Sequence, residues 1–169
     1  MALFGGARDI SLFRHVNREL LWDIITQQCV FYQLKANETK VNIYGETAGA
    51  RYYEEPVLLN MLVERGDFSS PTDEFGVSAD RPMTFRFLRD DLVDANVLPE
   101  VGDIVMWYES YWEIDNVNNN QLFVGKDPDY PYNENPLNPG LENFGYNVSI
   151  ICTAHYVPAD RVQITRERL

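Results

Sequence analysis

Acid–base, nucleophilic and metal chemistry in proteins runs mostly through histidine, cysteine and carboxylate side chains. This chain is poor in the first two and rich in the third. Among 169 residues there are two histidines, His15 and His155, and two cysteines, Cys29 and Cys152. His15 falls in a run with helical periodicity and His155 in an alternating β-type run. Neither has a nucleophile or ligand at motif spacing, so each reads as a surface or hydrogen-bonded histidine. The cysteines are far apart in sequence and match no CxxC pattern. Met1–Gly6 has neither a basic start nor a long apolar core, so no signal peptide is expected and the cysteines read as buried thiols of a protein made in a reducing cytosol. Asn37-Glu38-Thr39 and Asn147-Val148-Ser149 match the glycosylation acceptor pattern and are read as chance matches on the same ground. No HExxH, GxSxG or phosphate-cradling glycine loop is present.

The 26 Asp and Glu residues are so numerous that some pair must fall at a glycosidase-like separation; such a pair is no argument for a hydrolase. The most oxygen-rich cluster is Asp127-Pro128-Asp129 with Asn133, Glu134 and Asn135. Its donors suit Ca²⁺, but the spacing is not that of an EF-hand and the prolines suit a plain loop. The sequence therefore points away from an enzyme: no catalytic residue, metal ligand or cofactor is assigned.

Charge is more informative. The formal net charge is −12, from 14 Lys+Arg and 26 Asp+Glu. Residues 1–50 carry five basic and five acidic side chains, residues 51–145 six and nineteen, and residues 146–169 three and two. Nucleic-acid affinity comes mostly from cations that neutralise phosphates. An acidic chain without a basic cluster is not built as a DNA or RNA binder. The concentration of acid in the middle serves either as a solubilising surface or as a wall that repels a nearby polyanion.

The elements that position these residues follow from periodicity. Leu12, Phe13, Val16, Leu20, Leu21, Ile24 and Ile25 recur at helical spacing. They predict a helix over about 9–27, with Asp9 or Ser11 as N-cap. Its apolar stripe packs either on the domain's own sheet, the commoner arrangement, or on a neighbouring subunit. After it the pattern turns to strands: 29–34, 40–44, 57–64 with Val57, Leu59, Met61 and Val63 on one face, and 84–87 with Phe85 and Phe87 on one face. Residues 90–95 read as one helical turn. Over 99–125 a turn at Pro99–Asp103 precedes strands at 104–108, 111–115 and 121–124, a three-stranded meander with Asn118–Asn120 as its second turn. Residues 148–156 alternate as a long strand, and 161–164 read as a last short one. The segment 126–145 is rich in proline and tyrosine, which forbids helix and ladder alike. It is expected to be a projecting, contact-making loop, with Tyr130, Pro131, Tyr132 and Pro136 as an inter-subunit arm. No stretch is apolar enough to cross a bilayer. The expected fold is a single mainly β domain over 1–169, a small β-barrel or sandwich with an N-terminal helix and a long projecting loop.

Several short patterns, taken in order, carry a resemblance. They are Lys40-Val41-Asn42-Ile43-Tyr44-Gly45-Glu46, then Tyr53 and Pro56, an apolar strand ending in Val63-Glu64, and Glu74-Phe75-Gly76. Thr84-Phe85-Arg86-Phe87, Pro99-Glu100-Val101-Gly102-Asp103-Ile104-Val105 and Trp112-Glu113-Ile114 complete the set. Over roughly residues 30–155 this layout resembles the neck, or head-closure, proteins of T-even-type contractile-tailed bacteriophages. The resemblance implies a structural virion protein without catalytic activity or cofactor. It implies a small β-barrel assembled as a homo-oligomeric ring, typically a hexamer, around the DNA channel. Such a ring sits below the portal and adaptor and above the tail terminator, retains the packaged DNA and docks the tail. Genomic DNA passes through without specific binding, no membrane is involved, and assembly takes place in the host cytoplasm. Tail terminators and baseplate proteins use similar barrels, and a soluble β-barrel binding module or hydrolase is the alternative from another class. An acidic wall fits such a conduit, because phosphate contacts would brake the duplex. On this reading Glu74, Asp80, Asp90, Asp91, Asp94, Glu109, Asp127 and Asp129 are the candidates to line or rim the channel.

Overall fold

The computed structural model of the chain describes residues 7–35, 51–66, 72–73, 76–77, 82–122, 147–162 and 164. The fold is mainly β, as expected. Helix α1 (Ala7–Glu19) runs into a π-helical turn (Leu20–Ile25). There follow β1 (Gln28–Tyr32), β2 (Val57–Asn60), β3 (Leu62–Arg65), the two-residue strands β4 (Thr72–Asp73) and β5 (Gly76–Val77), and β6 (Met83–Leu88). Helix α2 (Arg89–Asp94), β7 (Ile104–Trp107), β8 (Ser110–Leu122), β9 (Asn147–Val157) and the short helix α3 (Ala159–Val162) complete the order. Seven strands form one antiparallel sheet in the order β2-β1-β7-β8-β9-β6-β3, and β4 pairs with β5 apart from it.

The run 57–64 alternates as its sequence predicts, yet it serves two edges. Before Met61 it pairs with β1 (Cys29 opposite Leu59), and after Met61 with β6 (Val63 opposite Phe85). The two edge strands of the sheet are thus halves of one chain segment, and the sheet must fold over until its edges meet at Met61. The fully buried Met61 donates its backbone N–H to the Gln27 carbonyl at 2.9 Å. No ladder joins β2 to β3, so the result is sandwich-like, with its edges joined covalently and not by a closing set of hydrogen bonds.

Alternation decides what the fold encloses. Phe31, Phe85, Phe87, Trp112, Ile114, Ile150 and Cys152 all turn to the same interior. Edge-to-face contacts occur between Phe31 and Phe87 and between Phe85 and Trp112, at centroid distances of 6.0 and 6.3 Å. Cys29 and Cys152 are free and buried, and burial raises both thiol pKa values, that of Cys152 to about 12. A second, smaller cluster of Ile104, Tyr111, Val157 and Val162 lies on the other face of the same strands. This is why 104–107 reads as apolar on both sides.

Two expectations are corrected. Asn118–Asn120 is not a turn: β8 runs unbroken through it for 13 residues. The partner strand β9 is 11 residues long, and the ladder absorbs the poorly β-forming asparagines through register shifts between Ile114 and Asn116 and between Asn118 and Gln121. The expected strand at 161–164 is instead helical over Ala159–Val162; Val162 is buried against Ile104 and Tyr111 from a helical turn. The predicted strand at 40–44 and the loop at 126–145 lie outside the described residues. Among the described residues no helix is long and apolar enough to cross a membrane.

Candidate functional site

Most of the stripe of the N-terminal helix stays exposed. Of its apolar residues only Leu21 is buried; Leu12, Phe13, Val16, Leu20 and Ile24, together with Trp22, are between 43% and 74% exposed. Beneath the helix a cleft of about 190 Å³ separates Leu20, Leu21 and Ile25 from Leu62 and Phe87. Large apolar faces left exposed are uncommon on monomers.

The helix is held in place by its polar side. Arg14 lies 3.0 Å from Asp90, and Arg18 reaches Asp94 at 2.6 Å and Asp91 at 3.2 Å. The arginines are spaced i,i+4 on α1 and Asp90 and Asp94 i,i+4 on α2, so the two short helices engage turn for turn. Trp22 Nε1 donates to Asp91 Oδ2 at 2.9 Å, and the Arg18 guanidinium lies 5.3 Å from the Trp22 ring. Asp91 is the centre of this clamp. Its side chain is buried, and burial raises its pKa against the opposing pull of Trp22 and Arg18. Exposed ion pairs contribute little; the buried Asp91 adds a hydrogen bond from the Trp22 indole. The clamp thus turns charge inward toward α2 and leaves the apolar side outward. Sequence reading found the stripe but missed the clamp, whose signal was the matching i,i+4 spacing of opposite charges.

The other candidate residues are distributed as follows. Asp90, Asp91 and Asp94 stand together on α2, engaged by α1. Glu109 is exposed in the β7–β8 turn. Glu74, Asp80, Asp127 and Asp129 lie outside the described residues, as do Tyr130, Pro131, Tyr132 and Pro136. The oxygen-rich Asp127–Asn135 cluster does too. Among the described residues no group of three or more His, Cys, Asp or Glu is arranged to hold a metal ion. His15 faces Glu19 one helical turn away at 3.6 Å, and His155 Nδ1 lies 2.7 Å from Asp115.

The turn at Pro99–Val105 is structural. In Pro99–Val105, Gly102 adopts a φ of 97°, which only glycine takes without strain. The buried Asp103 accepts from the backbone N–H groups of Leu34 and Glu100, each at 2.7 Å. Its carboxylate ties the turn before β7 to the chain leaving β1. Burial outweighs these two hydrogen bonds and lifts its pKa to about 6.

No family model matches the chain, and no curated protein matches it. Among solved structures, a chain from the "virion of native gene transfer agent (GTA) particle" superposes with a TM-score of 0.44 at 14% identity, over 78% of this chain and 94% of that chain.

Proposed function

We propose that this protein is a structural component of a phage-type virion that assembles with copies of itself into a ring at the neck, closing the head and docking the tail. The observation that carries the reading is the outward apolar face of α1, which Arg14, Arg18 and Asp91 hold turned away from α2. Its occupant is a second copy of the chain, since a ring of identical subunits needs an interface that repeats and closes. Half-exposed aliphatic and aromatic side chains gain on the order of 1 kcal/mol each when covered, so Leu12, Phe13, Val16, Leu20 and Ile24 together supply a useful share of an interface. The ordered patterns shared with T-even-type head-closure proteins support the level within the particle. In that ring the acidic middle of the chain forms the DNA-facing wall. Asp90, Asp91 and Asp94 contribute less field there than unpaired carboxylates, because Arg14 and Arg18 stand against them.

The test combines two measurements. Quantitative mass spectrometry of purified particles should find the protein at a ring-like copy number. Val16→Asp with Leu20→Asp, at exposed positions that leave the core intact, should keep the β-type circular dichroism and lose incorporation at least tenfold. Wild-type incorporation of the double variant would refute the reading.

A further inference from the structure

Positive φ is uncommon outside glycine, and β-branched side chains suffer most from it. Among the described non-glycine residues it occurs at Thr26, Asn96, Tyr108 and Glu109. Tyr108 and Glu109, with φ of 46° and 60°, form the two-residue turn between β7 and β8, where a hairpin calls for it. Asparagine tolerates it locally. Thr26, with φ of 49°, is the β-branched member, and it stands where the helical arm meets the sheet. Its N–H donates to the Leu21 carbonyl at 3.0 Å and closes the π-helical turn. The next carbonyl, that of Gln27, accepts from the Met61 N–H at 2.9 Å. The chain is thus helical up to Ile25 and pinned to the sheet at Gln27, so a movement of the arm turns on Thr26.

The arm is also loosely seated. Arg14 Nη2 lies 3.0 Å from Asp90 Oδ1, and Asp91 Oδ1 lies 3.2 Å from Arg18 Nε. These are ion-pair distances, yet Arg14 Nη2 and Asp91 Oδ1 are buried without an aligned hydrogen bond among the described residues, as is Arg14 Nε. The cleft of about 190 Å³ leaves Leu20, Leu21 and Ile25 short of full packing on Leu62 and Phe87. Half-exposed ion pairs hold such an arm weakly. The helix and the π turn, 13 and 6 residues long, are marginally helical in water once off their support. A strained pivot, misaligned charges and an open cleft therefore all belong to one element.

We propose that α1 and the π-helical turn form a hinged latch that undocks from α2 as one unit about Thr26, and that the docked fraction regulates how much of the apolar face is presented to a neighbouring subunit. Docked, the arm holds Leu12, Phe13, Val16, Leu20 and Ile24 preorganised on one side. Undocked, it loses its helix and the stripe disperses. The regulatory role rests on the assembly reading above; the opening itself does not.

Residue-resolved hydrogen exchange of the full-length chain tests the latch. The three tryptophans give three indole N–H signals, and the one missing from Trp22→Phe is that of Trp22. In the wild type, the Trp22 indole and the amides of residues 12–25 should share one protection factor, at least a hundredfold below that of β6, β8 and β9. Raising NaCl from about 0.05 M to about 0.5 M should lower arm protection severalfold and leave the sheet unchanged. Arg14→Gln with Arg18→Gln should remove that salt response. Thr26 is exposed, so Thr26→Asn acts on the backbone; it should raise arm protection severalfold, because asparagine accepts the left-handed conformation. Arm protection equal to that of the sheet, protection that falls off residue by residue toward Ala7, no response to salt, or no gain from Thr26→Asn overturns the proposal. Thr26→Asn should also enter particles severalfold faster than the wild type; unchanged uptake removes the regulatory role. If the arm proves rigid while Val16→Asp with Leu20→Asp still abolishes incorporation, this inference falls and the assembly reading stands. An arm that opens as described in a protein missing from particles supports the latch and removes the neck.

Discussion

Asp103 shows how one side chain can be both structural glue and a proton-linked site. Its two backbone hydrogen bonds favour the carboxylate, its burial disfavours it, and burial prevails with a pKa of about 6. The folded state therefore holds more protons than the unfolded chain between the ordinary aspartate value and about 6. The contribution of Asp103 to stability is present at low pH and is lost as pH rises through about 6, by up to ~3 kcal/mol. Urea unfolding of the wild type and Asp103→Asn from pH 4 to pH 7 should show the wild type losing stability relative to the variant over that window. A constant difference would assign the proton elsewhere. At pH 7 the variant also loses one acceptor for a buried N–H, at a cost of about 1–3 kcal/mol. The Tyr108–Glu109 turn gives a second residue-scale prediction. Glu109→Gly should raise the free energy of unfolding by about 1 kcal/mol, because glycine takes the positive φ without strain. A denaturation midpoint unchanged or lowered would show that the turn is not strained.

At the scale of elements, α1 is attached by charge and indole chemistry more than by apolar packing. Asp91→Ala leaves Trp22 Nε1 without its acceptor and Arg18 with Asp94 alone, and should loosen the helix while the sheet stays folded. Hydrogen exchange should then lose protection over residues 12–25 and keep it in β6, β8 and β9. Uniform loss across the chain would mean that α1 is integral to the core. The helix was legible from the spacing of Leu12, Val16 and Leu20. Its orientation was not, since an apolar stripe looks the same whether it faces its own sheet or a neighbour. Local turn propensity predicts a turn at Asn118–Asn120, but the long partner strand β9 keeps β8 extended there. A strand paired along its length to β9 tolerates poor β-formers that would end a strand with a shorter neighbour.

For the whole molecule, the consequence that matters is electrostatic. If the acidic middle of the chain lines a DNA conduit, replacing Glu74, Asp80, Asp127 and Asp129 with lysine should slow genome ejection. The slowing should be greater at low ionic strength, since salt weakens phosphate contacts. Normal ejection rates for the lysine variant in low salt would place these residues on the outer surface. Asp90 and Asp94 are poor choices for this experiment, because lysine there would break the ion pairs with Arg14 and Arg18 and release α1.

What the sequence determined by itself was whatever depends on neighbours along the chain: the period of each element, the inward set of Phe85 and Phe87 on β6, the alternation through Met61, the acid-rich middle, and the lack of catalytic motifs. What only the tertiary structure decided was which faces meet. Alternation places Met61 inward but does not say that the chain there changes partners and joins both edges of the sheet. Nor does it say that Trp107 and Trp112, on neighbouring strands, share one cleft with Arg65. Those facts depend on pairing between residues distant in sequence, and local periodicity sets the face a side chain occupies without naming what lies across from it.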